Sequence, residues 1–262
     1  IFGSETASTL QSRGIYHFPL SNHLLTYEDG QCSSLGNCTT NWGAKDTDTV
    51  ICAHRDREYC FGQFIWSGWD YLGEPTPYFT KNSFFGQVDT AGFPKDSYFH
   101  YMAEWTDYRE NPMIHLLPFW DFNPQQLIDI RIFSNAPKVE LFFNGTSQGV
   151  KEIDHAHGAH LSADWQLPYH DGTLRAVAYD ENNTIIATDE QRSFGNAESI
   201  VLKPDKETLL ANGEDLLFLE INTVDKDDIF VANSRSRMHV SVTGAGRLIG
   251  LDNGDSTDFD QY

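Results

Sequence analysis

Six residues in the first third of the chain have side chains suited to handling a sugar: Glu5, Trp66, Trp69, Asp70, Glu74 and Tyr78. Aromatic rings stack on pyranose faces, while carboxylates take hydroxyls or move protons. All but Glu5 fall within CFGQFIWSGWDYLGEPTPY, Cys60 to Tyr78. This run opens as an aromatic and β-branched stretch, Phe61–Trp66, which reads as a strand buried on both faces. It then passes Gly68 into a loop that Pro75 and Pro77 keep from extending. A Trp-rich core edge would explain the same composition. The case for a site therefore rests on a second stretch, IFGSETAS at the start of the chain, which reads as a buried strand with Glu5 at its tip. Ser4 and Thr6 are placed to cap the turn that follows. On these residues alone, Glu5 better suits an ordinary glutamate in a first helical turn, where the helix dipole favours it.

The elements that must hold these residues alternate. Between Gln11 and Trp42 the chain is polar, Gly-rich and irregular, and it carries Arg13, His17, His23, Tyr27, Glu28 and Asp29. Its length suggests a functional loop. Lys45–Glu58 reads as a helix capped by Asp46 or Thr47, with Val50, Ile51 and His54 on one face. After the aromatic loop come a short apolar segment, Phe84–Asp89, and a turn at Thr90–Pro94. Lys95–Asp107 follows as a second helix with Asp96 near its start. Strand, helix, strand, helix over residues 1–108 predicts a parallel α/β arrangement.

The pattern changes at Tyr108–Pro112. Short runs of period two then follow one another: Ile114–Phe119, Ile128–Ser134, Val139–Phe143, Leu174–Tyr179 and Thr184–Thr188. Turns are marked by Asn144-Gly145 and Asp180–Asn183. Residues 109–195 are accordingly expected to form an all-β sandwich of immunoglobulin-like size. Gly195-Asn196 marks another joint. Ile200–Leu202, Leu216–Thr223 and His239–Val242 would begin a second sandwich, which residues 196–262 are too few to complete. The sequence thus reads as α/β plus all-β in three parts, cut at both ends.

The chain has 262 residues, with 18 basic against 38 acidic side chains, a net charge of -20. Such a field repels phosphate backbones and anionic membrane surfaces, so neither nucleic acid nor a membrane is an expected partner. No apolar run approaches the ~20 residues of a membrane helix. Cys32, Cys38, Cys52 and Cys60 match no zinc spacing. Cys32 and Cys38 flank the loop SSLGN and could pair in an oxidising compartment, whereas Cys52 and Cys60 read as small hydrophobes. The compartment stays open. His155, His157 and His160 are read as solvated loop side chains rather than metal ligands. Asp252, Asn253, Asp255 and Asp258 form an acidic loop that lacks the Gly and Glu positions of a calcium pattern. Neither a metal nor another cofactor is expected.

GSETAS, FIWSGWDYLGEPTPY, FFGQVDTAGFPKDSYFHYMAEW, HLLPFWDF and SNAPKVELFFNG, in this order, resemble glycoside hydrolase family 2, close to its bacterial β-galactosidases. Ile200–Asp205 and TGAGRLIGLDNGD are similar to the β-sandwich that trails the catalytic barrel in many such enzymes. The resemblance implies that residues 1–108 are the last quarter of a (β/α)₈ TIM barrel, followed by two immunoglobulin-like sandwiches, the second truncated. It implies that Glu5 is the nucleophile of a retaining hydrolase, at the carboxyl end of strand seven. Trp66, at the tip of strand eight, would line the floor of the sugar pocket. Trp69, Asp70, Glu74 and Tyr78 follow as substrate contacts. The family's acid/base glutamate belongs to a strand upstream of Ile1, and neither Asp70 nor Glu74 has its Asn-Glu context. The fragment alone is therefore expected to be inactive. A quarter barrel would also be unstable alone, and would pack against another copy, the upstream chain or the sandwich.

Two alternatives remain open. A β-glucuronidase or β-mannosidase of the same family would keep the mechanism and change the sugar. Lys81-Asn82 does not match the Asn-x-Lys pattern that holds a sugar acid, and the acidic balance suits a neutral sugar better. A non-catalytic carbohydrate-binding module would instead use Trp66, Trp69 and Trp120 as its rings. It would have no need of Glu5 beside Trp66.

Overall fold

In the computed structural model, residues 1–22, 30–38 and 44–260 are described. His23, Tyr27, Glu28, Asp29 and Trp42 of the expected functional loop lie outside them. The first part has the predicted alternation: β1 (Phe2–Ala7), α1 (Thr47–Arg55), β2 (Gly62–Trp66) and α2 (Asp96–Trp105). β1 and β2 pair in parallel, with Thr6 opposite Ile65 and Ala7 opposite Trp66. Asp46 caps α1, its carboxylate accepting the Thr49 N–H at 2.7 Å. α2 ends at Thr106, where the backbone turns extended and the hydroxyl donates back to the Met102 carbonyl at 2.7 Å.

The parallel pair departs from the sequence reading in one respect. β2 is not buried on both faces: Phe61 is 77 % and Phe64 63 % exposed, and Phe2 and Ile1 are exposed beside them. Among the described residues the pair has only two strands, so nothing covers this face. The segment Phe84–Asp89 is buried but extends no sheet; Val88 makes single bridges to Trp69 and Pro94.

β3 (Ile114–Leu117), β4 (Leu127–Ser134) and β7 (Ala163–Pro168) form one antiparallel sheet in the order β3-β4-β7. β5 (Lys138–Phe143), β6 (Thr146–Glu152), β8 (Thr173–Tyr179) and β9 (Ile185–Arg192) form another in the order β6-β5-β8-β9. The period-two pattern explains their packing. Ile128, Ile130 and Ile132 of β4, Val139 and Leu141 of β5, and Leu174, Ala176 and Ala178 of β8 all enter one core, which also buries Trp120. The Trp120 indole N–H donates to the His170 carbonyl at 3.0 Å. Asn144 and Gly145 both have positive φ and join β5 to β6 as a two-residue hairpin turn. β6 and β7 were not legible in the sequence. The first is polar and exposed at a sheet edge, and the second is an edge strand ending in Pro168.

Beyond Gly195, β10 (Ser199–Pro204) and β11 (Leu219–Val224) form one antiparallel pair. The expected strand at His239–Val242 is absent, and no further strand occurs among the described residues. Gly195 is tied to the turn after β11 by Asp225, whose carboxylate accepts the N–H groups of Gly195, Asp227 and Ile229 at 2.7, 2.9 and 3.0 Å.

α2 packs on the β3-β4-β7 sheet rather than being left bare, and α1 packs against α2 and Leu161 ahead of β7. Leu20, Leu35, Ala103, Met113, Leu117 and Phe133 form a shared cluster. His100 of α2 stacks on Phe133 at 4.3 Å, and Phe99 stacks on His115 at 3.9 Å. Of the three partners that could cover the first part, the sandwich that follows it takes the helical face. No helix among the described residues is long and apolar enough to cross a membrane.

Candidate functional site

Parallel pairing brings the carboxyl ends of β1 and β2 together, and this is where Glu5 and Trp66 stand. Ala7 is the register partner of Trp66, so Glu5 lies two residues along the neighbouring strand from that point. The Ser8 N–H donates to the Trp66 carbonyl at 3.2 Å, closing the strand ends. Ala7 and Ser8 both have positive φ, which breaks the strand there. That turn lets the Ser8 hydroxyl reach back and donate to Glu5 Oε1 at 3.0 Å. Glu5 is exposed, and its carboxylate is oriented from one side by this donor.

The chain after Trp66 adds a shelf of rings. Trp66 is 38 % exposed and meets Tyr71 edge to face at 5.8 Å. The Tyr71 hydroxyl donates to Glu74 Oε2 at 2.9 Å. Trp69 is exposed, and Tyr78 is 92 % exposed with its ring face open to solvent. The backbone of this loop is held from within. Asp70 N–H donates to the Val88 carbonyl and Ser83 N–H to the Tyr71 carbonyl, at 2.9 and 3.0 Å. Gly86 passes so close that a Cβ there would lie 2.2 Å from Asp70 N, which admits only glycine.

Asp70 does not face the open surface. Its side chain is buried, and Oδ1 accepts from Lys95 Nζ and from the Gly86 N–H, both at 2.8 Å. Lys95 is buried too, and it also donates to the Gln11 carbonyl at 2.8 Å. Burial pushes the Asp70 carboxyl up, to about 6, against the opposing pull of the Lys95 ammonium; burial likewise lowers Lys95. Lys95 and Ser8 were missed as site residues. The short spacing from Glu5 to Ser8 was the available signal for the serine, whereas nothing local marks a lysine 25 residues past Asp70.

Several other sequence readings change. Trp120 is fully buried and cannot serve as a binding ring. The loop histidines are engaged rather than solvated, His157 apart: His155 Nδ1 pairs with Glu104 at 2.8 Å, and His160 bridges Asp48 and Asp164 at 2.9 Å each. No group of three or more His, Cys, Asp or Glu suited to a metal occurs among the described residues. Asn82 is fully buried, so Lys81-Asn82 presents no paired surface donors.

Comparison with known proteins adds an independent line. Residues 200–262 match the model of the glycoside hydrolase family 2 C-terminal domain 5, and residues 125–187 match a domain of unknown function, DUF4982. The β-galactosidase BoGH2A of Bacteroides ovatus is 35 % identical over 99 % of this chain, which spans 31 % of that protein. A putative β-glucuronidase of Formosa agariphila is 31 % identical over 86 % of the chain, which spans 22 % of it. Among solved structures, a β-glycosidase from Bacteroides vulgatus superposes with a TM-score of 0.82 at 28 % identity, over 100 % of this chain and 36 % of its own. A β-glucuronidase from glycoside hydrolase family 2 shares the fold at 16 % identity, with a TM-score of 0.65 over 88 % of this chain and 24 % of its own. The chain therefore spans about a third or less of these relatives' lengths.

Proposed function

The chain belongs to glycoside hydrolase family 2, and from that premise we propose that it is part of a retaining β-galactosidase in which Glu5 is the nucleophile. One observation carries the reading: an exposed carboxylate and an exposed indole stand at the same end of a parallel strand pair. In a barrel of alternating strands and helices, that end is where catalytic side chains converge. β1, α1, β2 and α2 are then the last quarter of the catalytic barrel, residues 1–108. Residues 109–195 and 196–262 are accessory β domains. The apolar face of the β1–β2 pair, bare here, is the face that the remaining barrel strands would cover.

The chemistry follows from the geometry. Glu5 attacks the anomeric carbon, the glycosidic C–O bond breaks, and a covalent glycosyl-enzyme forms on the carboxylate. Water then attacks the same carbon and returns the carboxylate free. The Ser8 hydroxyl holds one carboxylate oxygen, leaving the other for attack. A retaining mechanism needs a second carboxyl ~5–5.5 Å away to protonate the leaving oxygen. Asp70 is committed to Lys95 below the surface, and Glu74 accepts from Tyr71. The acid/base group is accordingly assigned to a part of the whole protein outside these residues, and the 262-residue chain by itself is not expected to turn over substrate. Trp66 forms the floor, Trp69, Glu74 and Tyr78 the rim, and Asp70 serves the rim from beneath as an anchor.

The test is turnover by the whole protein of p-nitrophenyl β-galactoside, β-glucuronide and β-mannoside. Galactoside hydrolysis is expected, and Glu5→Gln should reduce kcat by roughly 10⁴-fold or more while leaving the fold intact. Substantial residual activity would remove Glu5 from the nucleophile role. Turnover of glucuronide or mannoside alone would keep the mechanism and replace the sugar, and no turnover at all would favour a carbohydrate-binding module.

A further inference from the structure

The aromatic rim is clasped by residues that lie some 170 positions further along the chain. The segment Asn253–Thr257 crosses back from the third part and touches the leg that leaves the loop and the stretch that braces the leg entering it. On one leg, the Lys81 N–H donates to the Ser256 carbonyl at 2.9 Å, and Asn82 Nδ2 donates to Ser256 Oγ at 3.0 Å. Both Asn82 and Ser256 are buried. This leg carries the loop, since Ser83 bridges to Tyr71 and to Thr76. Beside the other leg, Gly254 lies against Asp89, the residue after the Val88 that pairs with Trp69. A Cβ on Gly254 would fall 2.1 Å from Asp89 Oδ2, and its φ of +72° is itself unfavourable for any other residue. Arg13 ties the same corner, with Nε on Asp89 and a second nitrogen donating to the Asn253 carbonyl at 3.0 Å.

The segment is tied together by its own side chains. Asp252 Oδ1 accepts the Gly254 N–H, Asn253 Oδ1 the Asp255 N–H, and Asp255 Oδ1 the Thr257 N–H, at 2.8, 2.9 and 2.8 Å. These acceptors are spent on the backbone of their own turns. They make the acidic run a folded clasp.

We propose that the Asn253–Thr257 segment is a positioning element for sugar binding: by fixing the leg that leaves the Trp69–Tyr78 loop and backing the Val88–Asp89 stretch that braces the leg entering it, it sets the placement of the rim and hence the affinity for the glycoside. The inference rests on the glycosidase reading of Glu5 and Trp66 and adds a determinant from a distant part of the chain. A side chain displaced by ~1 Å can cost up to 10²-fold in a positioned site, so loosening the clasp should be visible without any change in the reacting groups.

The experiment compares the whole protein with its Gly254→Ala and Ser256→Ala variants, with Ser256→Thr as the variant that keeps the hydroxyl. Two readouts are taken: amide hydrogen exchange over residues 69–83, and KM and kcat on p-nitrophenyl β-galactoside. The proposal expects faster exchange confined to that loop in both alanine variants, KM raised about tenfold with kcat held within about twofold, and recovery in Ser256→Thr. Unchanged exchange overturns it, as does faster exchange with unchanged KM, or a loss of kcat with KM kept. Absence of turnover by the unaltered protein on every glycoside would overturn the enzymatic reading instead. Exchange would then still decide whether the segment orders the loop.

Discussion

The Asp70–Lys95 pair shows how one residue's role depends on its depth. From the sequence, an acid between Trp69 and Tyr71 looks like a substrate contact. In the structure its carboxylate points inward, and a buried lysine meets it at 2.8 Å. Two charges out of water are costly, and burial works against both ionised forms, raising the acid and lowering the base. Removing one partner leaves the other uncompensated. Lys95→Met should therefore destabilise the first part by about 3–5 kcal/mol, while Lys95→Met combined with Asp70→Asn should recover much of that loss. Denaturant unfolding followed by tryptophan fluorescence measures both. A loss in the single variant no larger than in the double variant would show that the pair is not a coupled unit.

At the scale of elements, β4 is the clearest case of pattern becoming structure. It is the central strand of its sheet, and its alternation sends Ile128, Ile130 and Ile132 into the core. Leu127, one residue earlier, is exposed on the other face. Ile130→Ala should cost about 2–5 kcal/mol through lost burial and the cavity left behind. Leu127→Ala should cost within about 0.5 kcal/mol, because an exposed side chain leaves no cavity. Similar losses for the two variants would mean that the register of β4 is not as described.

For the whole molecule, the seam between the helices and the β3-β4-β7 sheet carries a line of charges. Asp48 of α1 lies 3.1 Å from His100 Nε2 and 2.9 Å from His160 Nδ1. His160 Nε2 contacts Asp164 at 2.9 Å, and Asp164 takes both Nε and a terminal nitrogen of Arg131 at 2.8 Å. Hydrogen bonds to Asp164 and Asp48 raise His160 to about 9. Asp48 and Asp164 are lowered by their histidine and arginine partners, which outweigh burial. A raised histidine contributes stability that is complete below its unfolded value of 6.5 and is lost as the pH climbs through about 9. The lowered carboxylates contribute above their ordinary value of 3.8 and lose that contribution in acid. The seam should thus be tightest from about pH 4 to 6.5. Because His160 is half exposed, solvent screening reduces its share to about 1 kcal/mol. Stability measured from pH 6.5 to 9 should fall in the parent and stay flatter in His160→Gln; parallel curves would remove His160 from the seam.

The sequence by itself determined the local choices. Period-two runs marked five of the seven strands from Ile114 to Arg192, Asn144-Gly145 marked a hairpin, and Asp46 marked the start of α1. Each depends on residues within a few positions, and that is where chain chemistry acts directly. The alternation of residues 1–108 was legible for the same reason. Edge strand β6 was not, because a strand with little to bury carries little hydrophobic pattern; β7 alternates Ala163, Trp165 and Leu167 into the core, but its run is short and ends in Pro168. Only the tertiary structure decided which side chains share a surface. It buried Trp120 and Asn82, turned Asp70 towards Lys95, and engaged His160 with two carboxylates. It also brought Gly254 and Ser256 against the aromatic loop, a contact between segments some 170 positions apart that no local propensity encodes. The physical reason is the range of the forces: periodicity and turn chemistry act along the chain, whereas burial and charge pairing depend on what the fold sets opposite.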